Sequence, residues 1–257
     1  MNDRVLAFKT RVKRFFRSRR KGQMLRSRVT WELLRIKQSL AHRQGRTLIL
    51  IAGPESTGTR VFTEILSAHP QVLGTPDASK HGDVLDAVWE HLEKEELVEA
   101  ARALAALGEA PVVVTRRSIP HATGDTLAHF MTFPRLDALF ALCQALDMAL
   151  VVLITTRSTA ANLASWTVQR ASAANNLGKA KVQYEAAYRL LFEFLVTHDV
   201  PFFFLSLEAL VLDREAYVQS VFQLLGLPPH DQPLELRANP NARRYEWYAS
   251  RKDGALT

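Results

Sequence analysis

One cysteine, Cys143, stands in the whole chain, so no internal disulfide can brace it, and no Cys/His cluster has the spacing of a zinc site. Long apolar runs are missing as well. The longest, such as 148–154, fall far short of the roughly 20 residues that a spanning helix needs. The N-terminus is basic but lacks the following apolar stretch, about 7–15 residues long, of a secretory signal. Internal repeats and low-complexity segments are also absent. A disulfide scaffold and a helical membrane span are thereby excluded. The expectation is a soluble chain in a reducing cytoplasm, with Cys143 in the core. Its 257 residues, 47% hydrophobic and 23% charged, suffice for one α/β domain with an appendage.

The net charge of +7 is unevenly distributed. Residues 1–46 hold 15 Lys/Arg against Asp3 and Glu32, a net of +13, whereas 47–257 carry 18 basic and 24 acidic side chains, a net of −6. Within this arm Val5, Phe8, Val12 and Phe15 recur at helical spacing among Arg11, Lys13, Arg14, Arg17, Arg19, Arg20 and Lys21. A second helical pattern follows at Leu25, Val29, Leu33, Ile36 and Leu40. A basic amphipathic helix can lie on an anionic membrane surface or bind a partner, and it can also be a solvated extension. The arm contains no motif that reads nucleic acid, so a nucleic-acid partner is not expected.

From residue 47 onward, short apolar runs at 47–52, 111–115, 148–155 and 201–206 alternate with helical patterns. Those patterns lie near 59–68, 84–107, 134–146, 159–172, 177–197 and 214–225, the last ending at Gly226. Runs so continuously apolar predict strands buried on both faces, and their alternation with helices predicts a three-layer α/β domain with a parallel sheet flanked by helices. Ligands of such sheets gather at the carboxyl ends of the strands.

The first run leads directly into Gly53-Pro-Glu-Ser-Thr-Gly-Thr-Arg60. A nucleotide-triphosphate loop reads G-x-x-x-x-G-K-[ST], with Lys on the terminal phosphates and a hydroxyl on magnesium. Gly53 and Gly58 have that spacing, but Thr59 and Arg60 occupy the last two positions. The loop keeps a phosphate cradle and a cation without the placed metal ligand, so no metal is expected. The helix that follows, with Val61, Phe62, Ile65 and Leu66 on one face, presents free N–H groups and the positive end of its dipole to an anion held by Ser56, Thr57, Gly58 and Thr59. Arg60 can add a charge-assisted hydrogen bond to it. An ordinary β–α turn with a surface arginine is the plainer alternative.

A second constellation follows the run at 148–155. Arg157 precedes Ser165 by eight residues, with Asn162 and Trp166 close by in sequence. An arginine at a strand end and a serine in the next helix can converge on a second phosphate, or they can be a cap and a surface ion pair.

The loop, the Arg157/Ser165 pair, and a late block at 202–213 running on to Leu225-Gly-Leu-Pro228 together resemble the sulfotransferases that use 3′-phosphoadenosine 5′-phosphosulfate (PAPS), bacterial-type enzymes of P-loop-like fold. The likeness covers roughly residues 47–245. It implies that Ser56, Thr57, Gly58, Thr59 and Arg60 hold the 5′-phosphosulfate, and that Arg157 and Ser165 hold the 3′-phosphate. It also implies a chiefly structural role for Glu208 and Leu210, and closing cations in 239–248, where Arg243 and Arg244 stand. By resemblance the activity is transfer of a sulfuryl group from PAPS to a hydroxyl or amine, of a carbohydrate or lipid-linked acceptor.

The sequence departs from the family at Glu55, where members commonly carry Lys after the loop's proline. Arg60 can supply the charge, although arginine is a poor proton donor. A general base is sought at 115–121, Thr-Arg-Arg-Ser-Ile-Pro-His. His121 is the first candidate, with Glu55, Asp125 and His81 as others, and Arg116 and Arg117 can grip the nucleotide or an acidic acceptor. His81, Asp83 and Trp89, within 74–90, can line an acceptor pocket. Two alternatives stay open: a P-loop nucleotide kinase or NTPase relative, and a non-catalytic nucleotide-binding protein recruited to a membrane through residues 1–46.

Overall fold

The computed structural model describes residues 45–75, 84–107, 110–119, 133–169 and 177–231. In chain order the elements are β1 (Thr47–Gly53), α1 (Thr59–Ser67), β2 (Val72–Leu73), α2 (Asp86–Glu93), α3 (Leu97–Ala106), β3 (Val112–Ser118), α4 (Leu136–Ala145), β4 (Ala149–Thr156), α5 (Thr159–Gln169), α6 (Leu177–His198), β5 (Phe202–Ser206), α7 (Leu207–Leu212) and α8 (Arg214–Leu224). The five strands are parallel and ordered β2-β3-β1-β4-β5.

Strand alternation divides the apolar side chains between two cores. On one face Leu48, Leu50, Val113, Val152 and Ile154 pack with Trp89, Leu104, Leu142 and Leu191 from α2, α3, α4 and α6. On the other, Ile49, Ile51, Val114 and Leu153 pack with Phe62 and Ile65 of α1 and Phe222 of α8. The expected three-layer α/β architecture is therefore present. Gly226 ends α8 with φ +69°, a conformation that glycine adopts without a Cβ penalty.

Several sequence expectations need correction. The helical pattern at 84–107 is two helices, because the chain turns at Lys94-Glu95-Glu96, with Glu95 at φ +63°. β3 continues through Ser118, so Arg116, Arg117 and Ser118 are strand residues, in register with Ile51, Ala52 and Gly53. The strand expected at 201–206 is not buried on both faces. Among the described residues β5 is an edge strand, and Phe202, Phe203 and Phe204 are exposed. The basic arm, apart from Gly45 and Arg46, lies outside the described residues.

Cys143 is in the core on α4, and burial pushes its thiol up to about 12. Thiolate is the reactive form. The native protein should therefore take up no thiol reagent at pH 8, and one equivalent once unfolded in denaturant, as a chromogenic disulfide assay would read.

Candidate functional site

β1 enters the loop at Gly53, where there is no room for a side chain. A Cβ there would stand 2.8 Å from the Thr155 carbonyl oxygen and 2.9 Å from Thr57 Oγ1, and closer still to Thr155 Oγ1. The space is filled by a pair of hydroxyls. Thr57 Oγ1 donates to the Pro54 carbonyl at 2.6 Å and lies 2.6 Å from Thr155 Oγ1. A hydroxyl has one proton, so Thr155 is the donor in that pair. Thr57 is completely buried and its hydroxyl belongs to the loop's own frame.

Arg157, just after β4, and Asn162, in the first turn of α5, hold the outer side of the loop. Asn162 Nδ2 donates to the Glu55 carbonyl at 2.7 Å, and Arg157 Nη1 donates to the Ser56 carbonyl at 3.0 Å. In a trans peptide C=O and N–H point in opposite directions, so drawing the Glu55 carbonyl towards α5 turns the Ser56 N–H away from it. Ser56 and Gly58 have φ of +67° and +101°. For a serine this is an uncommon conformation, held in place by the surrounding bonds. α1 then begins at Thr59 with no side chain capping its first turn, and its leading N–H groups have no carbonyl within the helix to meet. Loop amides and a helix N-terminus together make a concavity for an anion.

The loop and the β4 end, far apart in sequence, are thus held against each other. Arg157 is buried, as are Ser165 and Asn162 on α5. The Asn162 Oδ1 atom is buried without a hydrogen-bond partner. Its orientation follows from chemistry, since only the amide nitrogen can donate to the Glu55 carbonyl. Asn162 was visible in sequence only as a neighbour of Arg157; its hold on the loop was not.

The Arg60 side chain is not brought to this concavity. It is 54% exposed, and its Nε–H donates to Glu64 Oε1 at 3.0 Å, one turn along α1. This i,i+4 partner captures the guanidinium. Arg60 therefore offers the loop only its backbone N–H, which corrects its expected role as the cation of the cradle. Glu55 is half-buried in the loop.

On the β3 side, Ile119 N–H donates to the Gly53 carbonyl at 2.9 Å, which carries the ladder past the sheet and brings Ser118 alongside the loop. Arg117 is stacked 4.7 Å over the Trp89 ring and lies 3.4 Å from Asp86 Oδ1. Trp89 is itself fully buried, with Nε1–H donating to Thr115 Oγ1 at 3.0 Å. It forms part of the core and does not line an acceptor pocket. His81, Asp83, His121, Asp125, Arg243 and Arg244 lie outside the described residues.

Three further contacts support the site; a structural role was expected for Glu208, while those of Tyr188 and Tyr217 were not anticipated. Tyr188 of α6 donates its hydroxyl to the Thr155 carbonyl at 3.1 Å. Burial is the main reason its phenol is held well above the ordinary range, with Tyr184 adding to it. Glu208 Oε1 accepts the Ser158 N–H at 2.8 Å and ties the end of β5 to the start of the β4–α5 turn. Tyr217 accepts the Ser206 N–H at 2.7 Å. No helix among the described residues is long and apolar enough to cross a membrane.

No family model matches the chain, and no curated protein matches its sequence. Among solved structures, it is similar to a provisionally assigned kinase from Chloroflexus aurantiacus, with 13% identity and a TM-score of 0.36. That likeness covers 71% of this chain and 97% of the other.

Proposed function

We propose that the protein is a PAPS-dependent sulfotransferase that moves the sulfuryl group to a hydroxyl or amine of a carbohydrate or lipid-linked acceptor. The observation that supports this reading is the contact of buried Arg157 with the Ser56 carbonyl, which holds the end of β4 against the loop; on this reading the loop takes one phosphate group of the donor and Arg157 with Ser165 takes the other. Thr59, where a triphosphate loop has its lysine, supports the choice of donor over ATP.

In the reaction the acceptor oxygen or nitrogen forms a bond to sulfur. The bond from sulfur to the bridging oxygen breaks, and its electron pair leaves with the 5′-phosphate of adenosine 3′,5′-bisphosphate. The acceptor's proton passes to a base, for which His121, Glu55, Asp125 and His81 are the candidates. Backbone N–H groups of the loop and of the first turn of α1 stabilise charge on the departing phosphate, and Arg157 holds the 3′-phosphate together with Ser165 and keeps the loop in place. Arg243 and Arg244 would close over the nucleotide. The chemistry needs alignment and charge stabilisation and uses no metal.

Transfer of labelled sulfate from PAPS to a panel of glycans, glycolipids and amines tests the activity. The expected result is label on at least one acceptor class, in the presence of a chelator. A phosphoryl transfer from ATP and magnesium, with no sulfate transfer, would replace this reading with the kinase one. The basic arm is proposed to place the enzyme on anionic membrane surfaces in the cytoplasm. Co-sedimentation with vesicles containing phosphatidylserine, lost at high salt, is the expected behaviour.

A further inference from the structure

Five of the seven large hydrophobic residues exposed among the described residues lie on two neighbouring elements, Val182 and Val196 on α6 and Phe202, Phe203 and Phe204 on β5. At 3.6 residues per turn, positions 181, 182, 185, 189, 192, 193 and 196 share an arc of roughly 120° on α6. That arc adjoins the edge of the sheet, because the Phe192 ring is 6.1 Å from Phe202 and 6.2 Å from Phe204. β5 pairs only with β4 among the described residues, and its sequence, Phe-Phe-Phe-Leu-Ser, has no charge. Natural edge strands are normally blunted by charge, proline or a covering element. Phe202 and Phe204, on one face of β5, form with Phe192 an apolar strip beside this arc, and such a strip marks a surface that something covers.

The charges on the same arc identify the occupant. Lys181, Glu185, Arg189 and Glu193 are all exposed and alternate in sign along the helix, with Lys181 Nζ 3.8 Å from Glu185 Oε1. We propose that a second copy of this chain covers the strip, with the two α6 helices antiparallel about a two-fold axis level with residue 187. An isologous contact requires the surface to be complementary to itself. Here it is: Lys181 of one copy faces Glu193 of the other, and Glu185 faces Arg189. Parallel α6 helices in register would instead set each charge against its own kind. The dyad also carries the two Phe202/Phe204 edges to the same side of the assembly. At about 33 Å, α6 is long enough to seat all four charge pairings in one contact. This inference is independent of the sulfotransferase reading.

Sedimentation velocity of the full chain at tens of micromolar should give a species of twice the 28.9 kDa chain mass. Arg189→Glu sets like charges against Glu185 at two symmetry-related places and should weaken self-association by at least about tenfold. The charge swap Glu185→Arg/Arg189→Glu restores opposite charges across the axis and should bring the dimer back. Circular dichroism melting checks that each variant is folded. If the first swap does not fold, Lys181→Glu and the swap Lys181→Glu/Glu193→Lys repeat the test at the outer pair. A monomeric wild-type chain, an Arg189→Glu variant as dimeric as wild type, or a folded swap that stays monomeric would each overturn the proposal.

Discussion

Gly53→Ala is expected to lower stability by about 1–3 kcal/mol and to abolish anion binding, because the new methyl group has no position that the fold can yield. Its neighbours would be the backbone carbonyl of Thr155 and the hydroxyls of Thr57 and Thr155. The carbonyl belongs to β4, which is hydrogen-bonded on both sides, and the hydroxyls are bonded to each other and to Pro54. Relief comes only by separating Thr57 from Thr155, which releases the loop from the sheet. Binding should therefore suffer more than stability does. For a chain of this size each kcal/mol corresponds to about 2–4 °C in Tm. Gly45→Ala is the control: Gly45 has a positive φ of +86° but nothing within 4 Å of a Cβ, so only backbone strain should register. Thermal melting with and without adenosine 3′,5′-bisphosphate reads both effects. A Gly53→Ala protein that melts and binds like wild type would show that the Thr57–Thr155 link does not hold the loop.

Arg157→Ala should weaken ligand binding sharply without abolishing it. Arg157 is buried, and its bond to the Ser56 carbonyl helps to hold a non-glycine residue at φ +67°. Removing it takes away the proposed contact with the 3′-phosphate and loosens the loop that binds the 5′-phosphate. Hydrogen bonds to charged groups contribute about 1.5–3 kcal/mol, so affinity for the bisphosphate should fall by roughly 10- to 150-fold. Adenosine 5′-phosphate separates the two roles. If Arg157 holds the 3′-phosphate, the variant should lose much less affinity for this ligand than for the bisphosphate. Equal losses would reduce Arg157 to a support of the loop. Arg157→Lys keeps the charge but not the forked donor geometry, and should recover only part of the affinity.

The central layers were legible because β1, β3 and β4 are buried on both faces and read as unbroken apolar runs. The strand at 201–206 reads the same way, yet β5 is an edge. Composition records a preference for a pleated apolar environment and not a place in the strand order. β2 was missed because two residues make no pattern, and α7 because Leu207-Glu-Ala-Leu continues the apolar character of β5. At the site, glycine spacing located the loop, since Gly53 and Gly58 answer to backbone geometry that leaves a mark in sequence. The hold exerted by Arg157 and Asn162 leaves none, because it joins residues about a hundred positions apart through carbonyls that every residue has. Arg60 shows the reverse error. It stood in the right place in sequence, and Glu64, four residues on, draws its side chain away.

The central claim is that the loop and the Arg157/Ser165 element form one site for a nucleotide with phosphates on both its 3′ and 5′ positions. Titration calorimetry of the full chain with adenosine 3′,5′-bisphosphate, in chelator, tests it most directly. The account predicts one-to-one binding, with affinity falling when either phosphate is removed and ATP competing poorly. No binding of the bisphosphate, or affinity that survives loss of the 3′-phosphate undiminished, would contradict it.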